Sequence, residues 1–418
     1  MSNTTVNKPL TLRQKLITLN VSVLLALVTL EIALRIYAPI PTGTASTKVN
    51  KAQFYGSALA PDTREFLFNP DTGERIYYHT NSQGWKDVEH TFEKPPSIVR
   101  ILFVGDSNTW GIVRLEAQYT RQVERLLKER GLTKVKVISI GVGGWGPDQE
   151  LEALRLEGIY YEPDFVIYQF DINDVTDPLY VPEFSQVGEP PFRYEVDADT
   201  LTLRRIDLPS ESVEVVETSF REQIVRSSAI LYYLTELGQS IGAYFYRPAD
   251  RIFDPNESAR FAFPEGHPLI WNLDPEAMSP EYKYGWRLLE ALIVEFQKVS
   301  IQNNAEFLLF SQDGTVDMLD FSARIDNTLL HDENGYYRLE NGDKRYLRPE
   351  FILELLGEIT NRHDIPFIRP TRSYPSYQYD AHPNEEGNLN MALDIVDFLT
   401  TWQPFLDRVE ESRRGEAK

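Results

Sequence analysis

One serine of this sequence stands where a nucleophile would be expected. Residues 100–104, RILFV, form an apolar run that ends in Gly105, Asp106 and Ser107. A serine hydroxyl is a poor nucleophile unless a base takes its proton and a third group orients that base. Gly, Asp and Ser are also common in surface turns. Ser107 therefore needs a histidine and an acid elsewhere in the chain.

One of the six histidines has an acid at a suitable spacing. His382 lies in DAHPNEEGNLNMA, directly before the last predicted helix, and Asp380 is two residues upstream. On one short loop, a carboxylate can hold one imidazole nitrogen while the other nitrogen faces outward. The alternative is that Asp380 caps the helix and His382 is incidental. Ser107, His382 and Asp380 are the candidate catalytic residues.

Two further loops offer hydrogen-bond donors for a developing oxyanion. GVGGWG at 141–146 follows an apolar run, and its glycines let a backbone N–H approach a substrate oxygen closely. DIND at 171–174 follows another run and offers the Asn173 amide. Together with the Ser107 backbone N–H, these groups could form an oxyanion hole. A structural turn at Gly143 and Gly144, and a capping role for Asn173, are the alternatives.

The elements that would position these loops can be predicted from apolar periodicity. Strands are predicted at 100–104, 135–140, 164–170, 305–311 and 366–370, and helices at 118–131, 149–161, 284–302, 349–362 and 394–402. This alternation predicts a parallel sheet with helices on both faces. Such sheets bind ligands beyond the carboxyl ends of their strands, so the loops above should meet at one edge.

An interval at about 176–280 interrupts this alternation. Within it VDADTLTLRRIDL, at 196–208, suggests a hairpin, and the whole interval is too long for an ordinary loop. We expect an insertion at the top of the sheet that acts as a lid or substrate platform. A decorative insertion or a surface for an unknown protein partner is the alternative. Residues 406–418 are expected to be a charged tail.

The N-terminal region predicts a membrane anchor. Basic residues at 8, 13 and 15 precede fifteen uncharged residues at 16–30, which would span about 22 Å as a helix. A bilayer core of about 30 Å requires the next turns as well, where Glu31 and Arg35 can pair and snorkel. We expect a cytoplasmic segment at 1–15, a transmembrane helix at 16–38, and a linker with a small extended region at 39–99.

Two other interpretations of this region remain open. Small residues at 43–45 would suit a cleaved signal peptide, and a buried helix of a soluble protein is the third possibility. Because the basic residues precede the apolar run, the rest of the chain is predicted to be extracytoplasmic, in the periplasm or at the cell surface.

Composition excludes several function classes. With 63 acidic and 42 basic residues the formal charge is −21, which disfavours nucleic acid as a partner. The sequence has no cysteine, so disulfides, zinc–thiolate sites and cysteine nucleophiles are excluded. The sequence contains no HxxxH pair, and no metal site is expected. Asp171, Asp174 and Asp177 could suggest calcium, but without the glycine and glutamate of a calcium loop we expect solvated acids.

Four blocks of the sequence resemble the SGNH hydrolase superfamily, also called GDSL-like esterases. They are Gly105-Asp106-Ser107, Gly143-Gly144, Asn173 in an Asn-Asp pair, and Asp380-x-His382, in that order. The resemblance covers residues 75–175 and 300–405, including TNSQGWKD at 80–87, and is closest to membrane-anchored bacterial members. It implies a domain at 100–405 with a flavodoxin-like, three-layer α/β/α fold, whose five parallel strands have the order 2-1-3-4-5.

The resemblance also implies roles for individual residues. Ser107 would be the nucleophile, His382 the base and Asp380 its orienting acid, with Gly144, Asn173 and the Ser107 N–H as oxyanion donors. No metal or organic cofactor is implied. The implied activity is a serine esterase or deacylase that hydrolyses O-acyl esters, such as O-acetyl esters, of a carbohydrate or lipid through an acyl-serine.

The same resemblance leaves alternatives for the activity. An O-acetyltransferase of surface polysaccharide would use the same triad, and a catalytically silent protein could bind a carbohydrate or a partner. Two positions depart from the family pattern: Asn108 stands where Leu or Phe is common, and Asp171 where Gly is common. Asn108 suits a helix start, and Asp171 could raise the pKa of the histidine.

Overall fold

The computed structural model describes residues 11–37, 52–179, 190–197, 200–208, 227–235, 278–312, 336–338, 344–346, 350–378 and 380–415. They divide into two compact units: helix α1 (Leu12–Tyr37) with residues 227–235, and the remaining described residues, which form the larger unit. The expected cleavage site at 43–45, the N-terminal residues 1–10 and much of the insertion lie outside the described residues.

The larger unit alternates strands and helices. Its helices are α2 (Ala52–Tyr55), α3 (Ser107–Trp110), α4 (Tyr119–Glu129), α5 (Pro147–Leu156), α6 (Pro280–Gln302), α7 (Phe351–Arg362), α8 (Glu385–Leu399) and α9 (Gln403–Gly415). Its strands are β1 (Arg64–Phe68), β2 (Arg75–His79), β3 (Val99–Gly105), β4 (Val135–Gly141), β5 (Phe165–Phe170), β6 (Phe192–Val196), β7 (Leu203–Asp207), β8 (Glu306–Ser311), β9 (Tyr336–Arg338), β10 (Lys344–Tyr346), β11 (Phe367–Ile368), β12 (Ser376–Tyr377) and β13 (Asp380–Pro383).

The central sheet has the predicted topology. Its five strands lie in the order β4-β3-β5-β8-β11, and every neighbouring pair is parallel. Numbered along the chain, this order is 2-1-3-4-5. β3 and β5 are buried at every position, as expected for strands covered on both faces. The predicted flavodoxin-like α/β fold is confirmed.

Helices cover the two faces of the sheet and complete the three layers. Leu102 and Val104 of β3 pack in one core with α5, α6 and α7, while Ile101 and Phe103 pack in a second core with α4, α8 and α9. This alternation follows from the two-residue period of a strand.

The C-terminal segment differs from the prediction. Residues 403–415 form the helix α9 instead of the charged tail expected at 406–418, and Phe405 and Val409 are buried in the second core. Two apolar residues four apart give the helix a narrow apolar stripe within a charged sequence. α8 is therefore not the last helix.

The region before β3 also packs more firmly than a linker. β1 and β2 form an antiparallel hairpin, and Trp85, Lys86 and Asp87 of the TNSQGWKD segment are buried. Lys86 Nζ donates to the carbonyl oxygens of Gly111 and Val113, at 2.5 and 2.8 Å. The segment is thus hydrogen-bonded to the chain that follows α3.

The described parts of the insertion belong to two different units. β6 and β7 form the predicted antiparallel hairpin, which packs on α6, and the Tyr194 hydroxyl donates to Glu152 of α5. Residues 227–235 belong instead to the unit of α1. The lid or platform role stays a prediction, because residues 209–226 and 236–277 lie outside the described residues.

α1 spans Leu12–Tyr37 and belongs to the smaller unit. Within the described chain it is the one helix long and apolar enough to cross a membrane. Arg35 Nε donates to Glu31 Oε1 at 2.7 Å, so the pairing expected from their spacing is present.

Candidate active site

Ser107 lies at the carboxyl end of β3. The Asp106 side chain caps α3, because its Oδ1 accepts from the Asn108 backbone N–H at 2.9 Å. The helix therefore begins at Ser107, and the expectation that Asn108 starts it is wrong. As the first residue of the helix, Ser107 has a backbone N–H with no intrahelical acceptor. Its hydroxyl donates to Asp106 Oδ2 at 3.3 Å.

Glycines at two strand ends let α3 approach the sheet. A Cβ on Gly105 would lie within 2.5 Å of Gln169 Oε1 and even closer to Thr109 Oγ1. A Cβ on Gly141, the register partner of Gly105 on β4, would lie 2.8 Å from Thr109 Cγ2. The space above both strand ends is filled by Thr109, so α3 and Ser107 are held directly over the edge of the sheet.

Asp380 and His382 form a hydrogen-bonded pair on β13. Asp380 Oδ1 lies 2.5 Å from His382 Nδ1 and accepts the His382 backbone N–H at 2.8 Å. The helix that follows is capped by Asn384, whose Oδ1 accepts from the N–H groups of Glu386 and Gly387. Asp380 is thus free of the capping role that the alternative interpretation gave it.

The β13 loop and the Ser107 helix are neighbours. β13 contacts α3, and the Tyr377 hydroxyl of β12 donates to the Ile112 carbonyl at 2.7 Å, just after α3. The Ser107 hydroxyl bonds to Asp106 and makes no hydrogen bond to His382. The structure thus places Ser107 and His382 on one edge of the sheet without a hydrogen bond between them. Hydrogen bonds between catalytic groups often tighten only when substrate binds.

The charge of His382 is set by surrounding carboxylates. Burial lowers its pKa, but the hydrogen bond and charge of Asp380 raise it more, helped by the charges of two further acids. These acids are Asp106 and Asp171. Burial opposes ionisation of Asp380, yet its bonds to His382 bring its pKa below the usual value. The contact with Asp380 therefore stabilises the charged form of His382 relative to that of a free histidine.

The glycine loop after β4 lies beside α3. A Cβ on Gly143 would come within 3.9 Å of Ser107 Cβ and 3.7 Å of the Trp110 ring. Gly144 has φ +78°, a left-handed conformation that favours glycine. The loop thus has both the closeness and the backbone freedom that an N–H donor near Ser107 requires.

Asn173 directs its amide group at two carboxylates. Its Nδ2 donates to Asp177 Oδ2 at 2.9 Å and to Asp106 Oδ2 at 3.3 Å. The cap of its short 3-10 helix, Ile172–Val175, is Asp171, so the capping alternative for Asn173 does not hold. Asp106 Oδ2 accepts from both Asn173 and Ser107. The two groups therefore share one acceptor in the absence of substrate.

The loop at 171–177 differs from the expectation that its three aspartates are solvated. Asp174 is fully buried and accepts from the Tyr168 hydroxyl at 2.7 Å and from the Asp171 N–H at 2.9 Å. Burial and the charge of Asp106 raise the pKa of Asp174 well above its usual value, and raise that of Asp171 to about 6. In the described chain, no group of three or more His, Asp or Glu side chains is arranged to hold a metal ion.

Two more carboxylic acids lie in or beside this loop, Asp177, which is partly buried, and Glu150. Burial raises the pKa of Asp177 to about 8 against the opposing hydrogen bond from Asn173. Glu150 of α5 is fully buried, and neither of its carboxylate oxygens has a hydrogen-bond partner among the described residues. Burial and the charge of Asp174 raise its pKa well above the usual value. Both groups therefore keep their protons to higher pH than ordinary carboxylic acids do.

Sequence reasoning did not predict two contacts of the site. Asn108 Nδ2 donates to Asp171 Oδ2 at 2.6 Å, so the two positions that depart from the family pattern are bonded to each other. Lys86 Nζ lies 5.4 Å from the centroid of the Trp110 ring. The simultaneous departures at 108 and 171 were a usable signal, whereas the distant Lys86 contact had none in the sequence.

Comparison with known proteins gives structural similarity only. No protein-family profile and no curated protein sequence matches this chain. Solved structures that align with it include TesA (9% identity, TM-score 0.34, covering 72% of this chain and 98% of that one) and a lipase/acylhydrolase from Enterococcus faecalis (13%, 0.33, 73% and 96%). A third is the acetyl xylan esterase AlAXEase (12%, 0.33, 72% and 99%). At these levels of similarity, the fold assignment rests on the strand order of the sheet.

Proposed function

We propose that this protein is a serine ester hydrolase that removes O-acyl groups, O-acetyl groups in particular, from a carbohydrate or lipid. The observation that carries the proposal is the Asp380–His382 pair. Its Nδ1 faces the carboxylate at 2.5 Å, on the same edge of the sheet as Ser107. An oriented imidazole beside a serine at a helix start is the arrangement that activates a hydroxyl for attack on a carbonyl.

The residues divide the chemistry as follows. Ser107 Oγ attacks the ester carbonyl while its proton passes to His382 Nε2, and Asp380 stabilises the imidazolium. The negative oxygen of the tetrahedral intermediate accepts hydrogen bonds from the N–H groups of Ser107 and Gly144 and from Asn173 Nδ2. The alcohol leaves with the proton from His382. Water, deprotonated by the same imidazole, then releases the acid and restores Ser107.

Asn173 must change partners during this reaction. Its bond to Asp177, at 2.9 Å, is the shorter one, and its bond to Asp106, at 3.3 Å, is the longer one. A substrate oxyanion is the stronger acceptor and would replace Asp106 on the second amide hydrogen. Asp177 then keeps the amide oriented.

The substrate class follows from charge and from the implied family. A net charge of −21 repels polyanions, which favours a neutral acylated carbohydrate or a lipid. The acyl-serine could also pass its acyl group to a sugar hydroxyl, since hydrolysis and transfer differ only in the molecule that attacks the intermediate. Adding a sugar acceptor and measuring acylated sugar against free acid distinguishes the two.

For its location, we propose that α1 anchors the protein in a membrane with the hydrolase domain outside the cytoplasm. The support is its apolar length and the basic residues at 8, 13 and 15 on its N-terminal side. Protease added to sealed, right-side-out spheroplasts should digest the hydrolase domain. Protection of that domain until the membrane is permeabilised would contradict this orientation.

The test of the activity uses a fluorophosphonate probe and p-nitrophenyl esters of increasing chain length. Ser107→Ala should abolish labelling and lower acetate-ester turnover by at least about a thousandfold. The matched control is Ser82→Ala, an exposed serine in the turn after β2, which should keep both. Labelling that persists in Ser107→Ala, or a wild-type protein that the probe does not label, would exclude this mechanism and favour a binding role.

A further inference from the structure

Glu31 and Arg35 of α1 contact a segment far away in the sequence. Ser228 Oγ and the backbone N–H groups of Ala229 and Ile230 all donate to the Glu31 carboxylate, at 2.9, 2.9 and 3.1 Å. Arg35 Nη2 donates to the Ser227 carbonyl at 2.7 Å. Four hydrogen bonds thus dock residues 227–230 on the C-terminal part of α1.

Glu31 and the start of the 229–235 helix supply each other's missing hydrogen-bond partners. A carboxylate within a long apolar helix is costly unless it is paired. Residues 229–235 are helical, and the first N–H groups of a helix have no intrahelical acceptor and favour a negative charge. Glu31 supplies that charge and receives the donors that it needs. The contact is therefore a specific one, and Arg35 reinforces it by also bonding to Glu31.

The position along α1 sets the depth of this contact. Glu31 lies about 24 Å, and Arg35 about 30 Å, beyond Lys15 along a helix that rises 1.5 Å per residue. The hydrocarbon core of a bilayer is about 30 Å thick. If Lys15 lies at one membrane boundary, the docked segment begins close to the opposite boundary.

The docked helix presents an apolar surface at that depth. Residues 229–235 read AILYYLT and contain no charge. Leu231 and Leu234, three residues apart on one helix face, are 44% and 59% exposed. Tyr233 is partly buried and adjoins Tyr232, and tyrosines are enriched at membrane–water interfaces. The apolar side chains of α1 itself are exposed in the same unit.

We propose that residues 227–235 are a second membrane-contacting element, a short interfacial helix docked on α1 that inserts Leu231 and Leu234 into the lipid boundary. The proposal rests on α1 being the membrane anchor of the proposed function. Lipid is the occupant that we assign to this surface, because the helix is hydrogen-bonded to the candidate span at the depth of the boundary. Part of the insertion would thus hold the chain to the membrane.

Docking can be tested by cross-linking, since the chain has no cysteine of its own. Ile32→Cys and Ile230→Cys replace residues that line one groove between α1 and the docked segment and leave Glu31 intact. A short bismaleimide should join this pair within one chain. The control pair, Leu24→Cys with Ile230→Cys, should join at least fivefold less, and adding Glu31→Ala should lower the yield of the first pair. Equal yields for both pairs would overturn the docking.

Membrane contact can be tested by fluorescence in liposomes of phosphatidylcholine and phosphatidylglycerol that contain spin-labelled lipid. An environment-sensitive dye on Leu234→Cys of the full chain should be blue-shifted and quenched severalfold more than the same dye on Ser82→Cys. Leu24→Cys, in the middle of α1, is the reference for an inserted site.

The outcomes separate this inference from the proposals beneath it. A quenched dye at position 24 with an unquenched dye at 234 overturns the interfacial helix alone, and so does a blue shift at 234 that depends on protein concentration, since a second copy would then cover this surface. No quenching at position 24 overturns the anchor itself. Neither readout depends on ester turnover, so loss of the proposed activity would not affect the result.

Discussion

Asp106 links the residues of the candidate site. Its Oδ1 caps α3, while its Oδ2 accepts from Ser107 and Asn173 at 3.3 Å each. Its charge also raises the pKa of His382. Asp106 therefore caps the helix, accepts the hydrogen bond of the Ser107 hydroxyl and raises the pKa of His382.

The charge of Asp171 leads to a prediction for the pH profile. The base must be neutral to accept a proton, so turnover rises as pH rises through the pKa of His382. Burial raises the pKa of Asp171 to about 6, so its carboxylate is ionised over most of the range from pH 5 to pH 9. Its negative charge raises the pKa of His382. Asp171→Asn should lower that pKa and move the acidic limb of kcat/KM to lower pH, by about half a unit to one unit.

The measurement is kcat/KM for p-nitrophenyl acetate between pH 5 and pH 9. Asp407→Asn, on the exposed side of α9, is the control and should leave the acidic limb in place. A limb that stays fixed in Asp171→Asn, or moves to higher pH, would show that Asp171 does not act on His382.

Asn173 gives a second prediction at this scale. Asn173→Ala removes an oxyanion donor while the N–H groups of Ser107 and Gly144 remain, so kcat should fall about 10²- to 10³-fold with a small change in KM. Steady-state kinetics on the acetate ester measures both constants. Asn390→Ala, on α8, serves as an amide control; equal effects of the two variants would remove Asn173 from the oxyanion site.

At the scale of elements, the short helix α3 depends on the glycine ends of β3 and β4. Gly105 and Gly141 face each other in register, and Thr109 of α3 occupies the space that their side chains would need. Thr109 Oγ1 also donates to Gln169 Oε1 of β5 at 2.8 Å. Three neighbouring strands thus fix the helix that carries Ser107.

This packing predicts a large effect of one methyl group. Gly105→Ala would place a Cβ within 2.5 Å of Gln169 Oε1, so Thr109 and α3 must shift. We expect destabilisation of about 2–3 kcal/mol together with loss of ester turnover. Gly357→Ala in α7 is the control: its Cβ meets nothing within 4 Å, and it should stabilise the helix by about 0.5–1 kcal/mol. Chemical denaturation monitored by tryptophan fluorescence measures both, and a Gly105→Ala protein as stable as wild type would refute this packing argument.

At the scale of the whole molecule, the larger unit places several carboxylic acids with raised pKa values under one edge of its sheet. Burial raises the pKa values of Glu150, Asp174 and Asp177, and the charge of Asp106 raises each of them further. A group whose folded pKa is above its unfolded pKa keeps its proton in the folded state and releases it in the unfolded state. Its contribution to stability is therefore present at low pH and is lost as pH rises through the folded pKa.

Glu150→Gln tests whether a raised pKa lowers stability as pH rises. Glu150 has no hydrogen-bond partner among the described residues. Because Gln does not titrate, the variant should match wild type within about 1 kcal/mol near pH 4.5 and become the more stable protein as pH rises above it. Unfolding of the full chain in detergent, at several pH values between 4.5 and 8.5, measures the difference. Glu358→Gln, exposed on α7, is the control. A constant difference between Glu150→Gln and wild type across this range would contradict a raised pKa.

The sequence by itself determined the five strands of the central sheet, most helices, the sheet order implied by the family resemblance, and the four loops that carry Ser107, the glycine pair, Asn173 and the Asp380–His382 pair. These features depend on local periodicity and on short spacings, which a sequence displays directly. The helical residues at 403–415 were missed because their apolar stripe has only two buried members, Phe405 and Val409.

Only the tertiary structure decided how those loops share their hydrogen bonds. These hydrogen bonds join positions from 4 to 199 residues apart in the sequence. They connect Asn173 with Asp106 and Asp177, Asn108 with Asp171, and Glu31 with residues 228–230. Whether an acid is solvated or buried depends on the elements packed around it, not on its neighbours in sequence. For that reason the sequence identified which residues could do chemistry, and the fold determined which of them are charged and which partner each one holds.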